Sequence, residues 1–252
     1  MNSTNYILGF ILAMTAIVAI LLTGLREVTK AGAERNEAIF NKRAVLMSVE
    51  NYLGGKQVKQ LSDAEVEEIF QTQVEQKVLN MEGEEVGTEG LMAEDVEMAK
   101  ERKKPESERV LPLYIFSDKD SKEKFYILSV RGNGLWDEIW GNIALKSDLE
   151  TVAGAAFDHQ GETPGLGAEI KDNPSFRKQF PGKKIYDESG EYTAVVVRKN
   201  GAVNDRYEVD GISGATVTAN GVTDMLKKGI KYYQPYLEKI KSGSNLQGYL
   251  IK

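Results

Sequence analysis

The 252-residue chain contains no cysteine and only one histidine. The missing cysteines exclude disulfides and thiolate-ligated iron–sulfur clusters. They say little about compartment, since a cysteine-free chain suits either redox environment. The lone histidine, His159, leaves no histidine cluster for zinc or haem, so redox chemistry on this chain calls for an organic cofactor. There is no basic excess: 32 Lys and Arg face 38 Asp and Glu, a net charge of -6. That balance argues against nucleic acid as a partner. The G-x-G-x-x-G fingerprint and the Walker A motif are both missing. No internal repeat or low-complexity tract occurs, and no charged residue precedes Arg26.

What is present begins with an apolar run. Tyr6 to Leu25 is rich in Ile, Leu, Ala and Val. At 1.5 Å per residue, a helix of this length spans about 30 Å, the thickness of the hydrocarbon core of a bilayer. The run therefore predicts an uncleaved transmembrane anchor over 1–25, with the span at about 6–25. A cleaved signal peptide is the alternative; the leading segment lacks a positive n-region and the run is too long. Arg26, Lys30, Arg35, Lys42 and Arg43 follow the span. Taken alone, the positive-inside tendency would keep the following domain in the cytoplasm.

Residues 26–109 read as a helical connecting region. Apolar residues at Ala38, Ile39, Val45, Leu46, Val49 and Leu53 predict a helix from Glu34 to Leu53, ended by Gly54-Gly55. Ser62-Asp63-Ala64-Glu65 predicts a capping box opening a short helix through Phe70. Residues 82–108 carry ten acidic residues and few large apolar ones, which reads as a solvated loop.

From Val110 the pattern turns to strands. Leu113–Phe116 and Phe125–Leu128 predict a hairpin, with further strands at Ile139–Leu145, Thr151–Phe157 and Tyr192–Val197. Helical spacing returns at Val222, Met225, Leu226, Ile230 and Tyr233, with Pro235 expected to kink or end that helix. The expected fold is α+β: a single N-terminal transmembrane helix, then a domain over 110–241 with a curved antiparallel sheet flanked by helices, and a C-terminal tail over 242–252.

Three stretches carry the chemistry. Asp210-Gly211-Ile212-Ser213-Gly214-Ala215-Thr216 precedes the last helical pattern. Ser213, Thr216 and Thr218 are candidate N-caps. A helix start exposes unpaired N–H groups and the positive end of the macrodipole, which favours a phosphate. Gly214 and Ala215 leave room for it, and Asp210 should point away from it. Glu162-Thr163-Pro164-Gly165-Leu166-Gly167 forms a glycine-rich loop between a strand and a short helix. Its glycines would admit a flat ring, and Thr163 could bond ring heteroatoms. Gly134-Leu135-Trp136 and Trp140 follow a glycine turn; Trp140 reads as core, whereas Trp136 could wall a planar cofactor. His159 reads as a hydrogen-bonding member of the loop rather than a proton relay.

These residues resemble known motifs. Asp210 to Thr216 resembles the Asp-x-x-(Ser/Thr)-Gly-Ala-Thr signature of flavinylated proteins, in which the last threonine carries FMN through a phosphoester. Residues 162–167 are similar to a hallmark of FMN-binding domains in respiratory flavoproteins. The Gly-Leu-Trp-x-x-x-Trp-Gly element over 134–141 resembles the C subunit of the sodium-translocating NADH:quinone oxidoreductase. The resemblance implies covalent FMN on Thr216, attached by a flavin transferase, with Asp210, Ser213, Gly214, Ala215, Glu162, Thr163, Gly165, Leu166, Gly167, Leu135 and Trp136 around it. It implies an electron carrier among other membrane subunits, with no complete active site and no bound metal. It also implies a bacterial inner membrane, with the FMN domain on the periplasmic or outer side, against the charge-based orientation. Three alternatives remain: a G-type subunit of an ion-translocating ferredoxin:NAD oxidoreductase, a cofactor-free structural subunit, and a free enzyme that binds FMN noncovalently and reduces a small substrate.

Overall fold

A computed structural model describes residues 4–86 and 90–249, with side chains through 243. It divides into two compact units, Met1–Phe40 and Asn41–Lys252. Helix α1 runs from Thr4 to Met47. Its apolar part has a mean hydropathy of 2.5 over an 18-residue window, long and apolar enough to cross a bilayer. The span and the expected second helix are thus one continuous helix. α1 stops at Met47 rather than Leu53, because the Ser48 hydroxyl donates to Val45 O (2.7 Å) and Ser48 N bonds the same carbonyl. A hydroxyl competing for a backbone carbonyl in this way favours a helix end. Gly54 and Gly55 follow at positive φ.

Helix α2, Asp63–Gln73, opens with the expected capping box. Ser62 accepts from Glu65 N, and the Glu65 carboxylate accepts from Ser62 N. It leads directly into β1 (Val74–Leu79), which pairs with β2 (Leu111–Ser117). The sheet therefore begins well before residue 110. β3 (Lys124–Asn133), β4 (Glu138–Leu145) and β5 (Val152–His159) complete an antiparallel meander in chain order.

Residues 82–108 are more than a solvated loop among their described members. A short helix, α3 (Met98–Glu101), lies there. Ala93 and Glu101 are buried, and Glu101 accepts from Val110 N. Arg102 reaches Gly132 O, Glu138 and Asn133. The polar composition is spent on specific contacts with the sheet. Residues 87–89 lie outside the described part.

The sheet is buried on both faces. Leu113, Ile115, Leu128, Val130, Ile139 and Ile143 point to one side, where the last helix supplies Val222, Met225, Leu226, Ile230 and Tyr233. Phe116, Phe125, Ile127 and Ala144 point to the other, against Val45, Leu46 and Val49 and against Val66 and Phe70 of α2. Each fully buried Leu, Ile or Phe contributes about 1.5–3 kcal/mol. The period-two alternation along β2 and β3 therefore sets the register, since a one-residue slip would exchange the two cores.

Beyond β5 come two single-turn helices, α4 (Glu169–Asp172) and α5 (Pro174–Arg177). The strand expected over 192–197 shrinks to β6 (Val196–Arg198), paired in parallel with β7 (Glu208–Asp210). Ala194 at φ +58 interrupts extended backbone just before β6. Helix α6 runs from Thr216 to Tyr249, so Pro235 does not end it and most of the expected tail is helical. Tyr236 and Leu237, just past the proline, are buried in the first core. That burial outweighs the one backbone hydrogen bond a proline removes. α6 lies close on β3 because a Cβ at Gly229 would come within 2.8 Å of Val130 Cβ, and one at Gly221 would overlap the Asn133 carbonyl. Residues 250–252 are outside the described part.

Candidate functional site

Three local structures meet at one end of the sheet. The β3–β4 turn closes through Gly134 N to Asp137 O (2.8 Å), with Leu135 and Trp136 at its tip. The loop after β5 folds back on itself: Glu162 N donates to His159 Nδ1 (3.2 Å), and Leu166 N and Ala168 N both donate to Thr163 O. The third is the start of α6. Gly165 and Gly214 sit at φ +73 and +76, where a side chain would be strained.

Glu162 joins all three. It is only 4% exposed. Its Oε1 accepts from Trp136 N (2.9 Å) and its Oε2 from the Thr218 hydroxyl (2.6 Å). Beside it, the Trp136 indole Nε1 donates to Thr163 Oγ1 (3.1 Å). A buried carboxylate needs such donors in place of water. Gly134 and Gly167 make room for it: a Cβ at Gly134 would lie 2.9 Å from Glu162 Cδ, and one at Gly167 would lie 2.6 Å from Thr218 Oγ1 and press on Glu162 Oε2. From sequence, ring access was the role expected of the loop glycines. In the structure Gly134 and Gly167 serve the carboxylate, whereas a Cβ at Gly165 meets open space.

α6 begins at Thr216, and Ala219 N bonds Ala215 O. The cap position is therefore Ala215, and none of Ser213, Thr216 or Thr218 occupies it. Thr218 is instead buried against Glu162, drawn there by the carboxylate. Alanine offers no acceptor to the first-turn N–H groups, so this helix end keeps its affinity for an external anion. Ser213 and Gly214 are exposed, Thr216 is half-buried and Ala215 is buried.

The structure thus brings together Leu135, Trp136, Glu162, Thr163, Leu166, Gly167 and the 214–218 segment, where Gly214 packs against Leu166. Asp210 stands apart. Its Oδ1 accepts from Ala202 N (2.7 Å), and Arg198 is paired with Glu208. Three residues could not be recognised from sequence as parts of the site. Gln179 pairs with both main-chain groups of Asp210 and so anchors the approach to the motif. Thr218 and Gly134 were hidden because their partner, Glu162, lies far away in the chain. The only available signal was their place inside or beside motif stretches.

Large apolar side chains stand out in solvent around Thr216: Trp136 is 69% exposed, and Leu135, Leu166 and Val217 are at least 42% exposed. An open depression of ≈ 350 Å³ is lined among others by Gly165, Glu169, Asn173, Gln179, Gly211 and Ser213, and by none of these four side chains. His159 accepts through Nδ1, and its Nε2 is buried without a hydrogen-bond partner among the described residues. Among the described residues no group of three or more His, Asp or Glu is arranged to hold a metal ion.

These features define a class. The model of the FMN-binding domain family matches residues 134–231, a range that contains Gly134, Glu162 and Thr216. Full-length comparison is more specific. The chain is 30% identical over 260 residues to the C subunit of the Na(+)-translocating NADH-quinone reductase of Vibrio alginolyticus, covering 96% of this chain and 95% of that protein. The Vibrio vulnificus (strain YJ016) protein of the same name is 42% identical over 133 residues, an alignment spanning about half of each, 52% of this chain and 51% of that one. The solved structure of the corresponding reductase component from Parabacteroides distasonis ATCC 8503 superposes with a TM-score of 0.70 at 33% identity, over 82% of this chain and 96% of that one. The chain belongs to the NqrC family, the C subunits of Na(+)-translocating NADH-quinone reductases.

Proposed function

We propose that Thr216 carries FMN through a phosphoester, and that the chain relays electrons as one subunit of a membrane complex that moves them from NADH to quinone and exports sodium. The observation that carries this reading is Thr216 as the first residue of α6, behind an alanine cap. Its hydroxyl lies where first-turn N–H groups and the macrodipole favour a phosphate. The surrounding residues fit FMN. Small residues, Gly214 and Ala215, flank the attachment point, Trp136 and Leu166 present apolar surface for a planar ring, and Thr163 offers a hydroxyl beside them.

FMN, when bound, supplies the electron-accepting and electron-donating chemistry. The chain's own part is to hold, orient and shield. α6 would hold the phosphate, Trp136 and Leu166 would receive the ring, and Glu162 keeps the two regions in register. Asp210 is committed to Ala202 N, so its charge shapes the loop before the motif. Thr216 is then a substrate of a flavin transferase rather than a catalytic residue of this chain. α1 anchors the chain among other membrane subunits, with the FMN domain on the outer side of a bacterial inner membrane.

The test is intact mass and ultraviolet fluorescence of the denatured chain, isolated from cells that contain the transferase. Added mass equal to FMN less water, mapped to the Thr216 peptide and lost in Thr216→Ala, is the expected result. An unmodified, non-fluorescent chain from such cells would overturn it. A reporter fused after Lys252 tests orientation; activity confined to the cytoplasm would refute the outer placement.

A further inference from the structure

A 69% exposed indole is ordinarily free to choose among rotamers. Trp136 is held at two points: its main-chain N–H by Glu162 Oε1 and its ring N–H by Thr163 Oγ1. Both acceptors sit on adjacent residues of one loop. The other oxygen of Glu162 is committed to Thr218, two residues along the same helical turn as Thr216. Glu162 has no cationic partner among the ion pairs of the described residues. Its burial is supported by hydrogen bonds alone, and Gly134 and Gly167 close on it from two sides. The structure therefore fixes a residue whose aromatic ring faces solvent: the Thr163 hydroxyl holds the ring, and a buried carboxylate housed by two glycines holds its main chain.

We propose that Glu162 is a positioning residue, a clasp that sets the separation between the Trp136 indole and the first turn of α6 before any cofactor is attached. The inference rests on the proposed function only for its purpose: the gap so defined is the slot for the flavin ring. The clasp itself belongs to the bare protein and touches no reacting atom. Because Oε1 and Oε2 are each used once, by different elements, the carboxylate acts as a rigid two-pronged spacer. A side chain without an acceptor cannot replace it, since Trp136 N and the Thr218 hydroxyl would both lose their partner.

The test uses the full chain carrying Trp140→Phe, so that Trp136 is the only tryptophan, and Thr216→Ala, so that no flavin is attached. Fluorescence anisotropy and acrylamide quenching of Trp136 are compared with and without Glu162→Ala. Losing a hydrogen bond to a charged acceptor releases the Trp136 main chain from α6, so the turn that carries the indole should be detached roughly tenfold more often, read as lower anisotropy and stronger quenching. Thr163→Val and Thr218→Val, which remove one hydroxyl each, test the two halves of the clasp if Glu162→Ala fails to fold. Thr163→Val should free the ring alone. Thr218→Val should leave the ring's own bond to Thr163 and loosen its tie to α6. In chains with Thr216 restored and flavinylated, Glu162→Ala should also lower the flavin's fluorescence anisotropy. Trp136 signals unchanged in folded Glu162→Ala, or in both threonine variants, would overturn the clasp. An unflavinylated Thr216 with a normal Trp136 response would instead sink the covalent reading and leave the clasp standing.

Discussion

Replacing Gly167 by alanine tests the packing of the site most directly. The added Cβ would sit 2.6 Å from Thr218 Oγ1 and closer still to Glu162 Oε2. A free glutamate tip would swing away cheaply. This one is bonded to Trp136 N and to Thr218, and Gly134 blocks the opposite direction. Relief therefore means breaking a hydrogen bond to a buried carboxylate, about 1.5–3 kcal/mol, or forcing a backbone shift of overpacking size, about 1–3 kcal/mol. The lower conformational entropy of an unfolded alanine returns about 0.4–1 kcal/mol. A net loss of about 2 kcal/mol is expected. In a folded unit of about 200 residues this lowers the unfolding midpoint by about 4–8 °C. Thermal unfolding followed by far-ultraviolet circular dichroism measures it. A double-mutant cycle then assigns the cause: in a Glu162→Ala background the same substitution should cost clearly less, because the carboxylate is gone and the Thr218 hydroxyl, still 2.6 Å from the new Cβ, is free to turn away. A Gly167→Ala chain that melts like the parent, or equal costs in both backgrounds, would show that the carboxylate is not confined as described.

Three further outcomes are expected. Gly154→Ala should destabilise by about 1–3 kcal/mol, because its Cβ would overlap the Ser48 backbone carbonyl, which cannot swing aside; denaturant unfolding checks it. Gln179→Ala removes both hydrogen bonds to the Asp210 main chain and should cost about 1–2 kcal/mol, with slower flavin incorporation seen as a lower modified fraction at early times. Partial burial opposes charge on Asp148, but bonds from the Thr151 side chain, the Thr151 and Glu150 main chain and the Lys184 ammonium outweigh it and hold the carboxyl below the usual carboxylate range. The native state therefore binds fewer protons here than the unfolded one. The stabilisation is complete above about pH 4, the ordinary aspartate range, and is lost as pH falls below it. Asp148→Asn should flatten that acid limb, seen in melting temperature against pH, and an unchanged limb would refute the assignment.

Local patterns were readable wherever neighbours in sequence are neighbours in space. The 113–116 and 125–128 hairpin, the Ser62–Glu65 capping box and the amphipathic stripe of α6 each depend on spacing within a short stretch of chain, Leu113 and Leu128 being the widest pair. Local signals misled where a distant partner decided. Pro235 stays inside a helix because the residues after it have a core to enter. Thr218 leaves the capping role because Glu162, 56 positions away, offers a stronger acceptor.

The sequence by itself determined the apolar span, the alternation of the sheet and the three motif stretches, since each rests on periodicity or on short spacing between residue types. Only the tertiary structure decided what those motif residues do for one another. A carboxylate becomes a spacer, and two glycines become its housing, only when a turn, a loop and a helix start are brought to the same end of one sheet. The physical reason is that burial and hydrogen-bond satisfaction belong to the folded surroundings of a group and not to its neighbours along the chain.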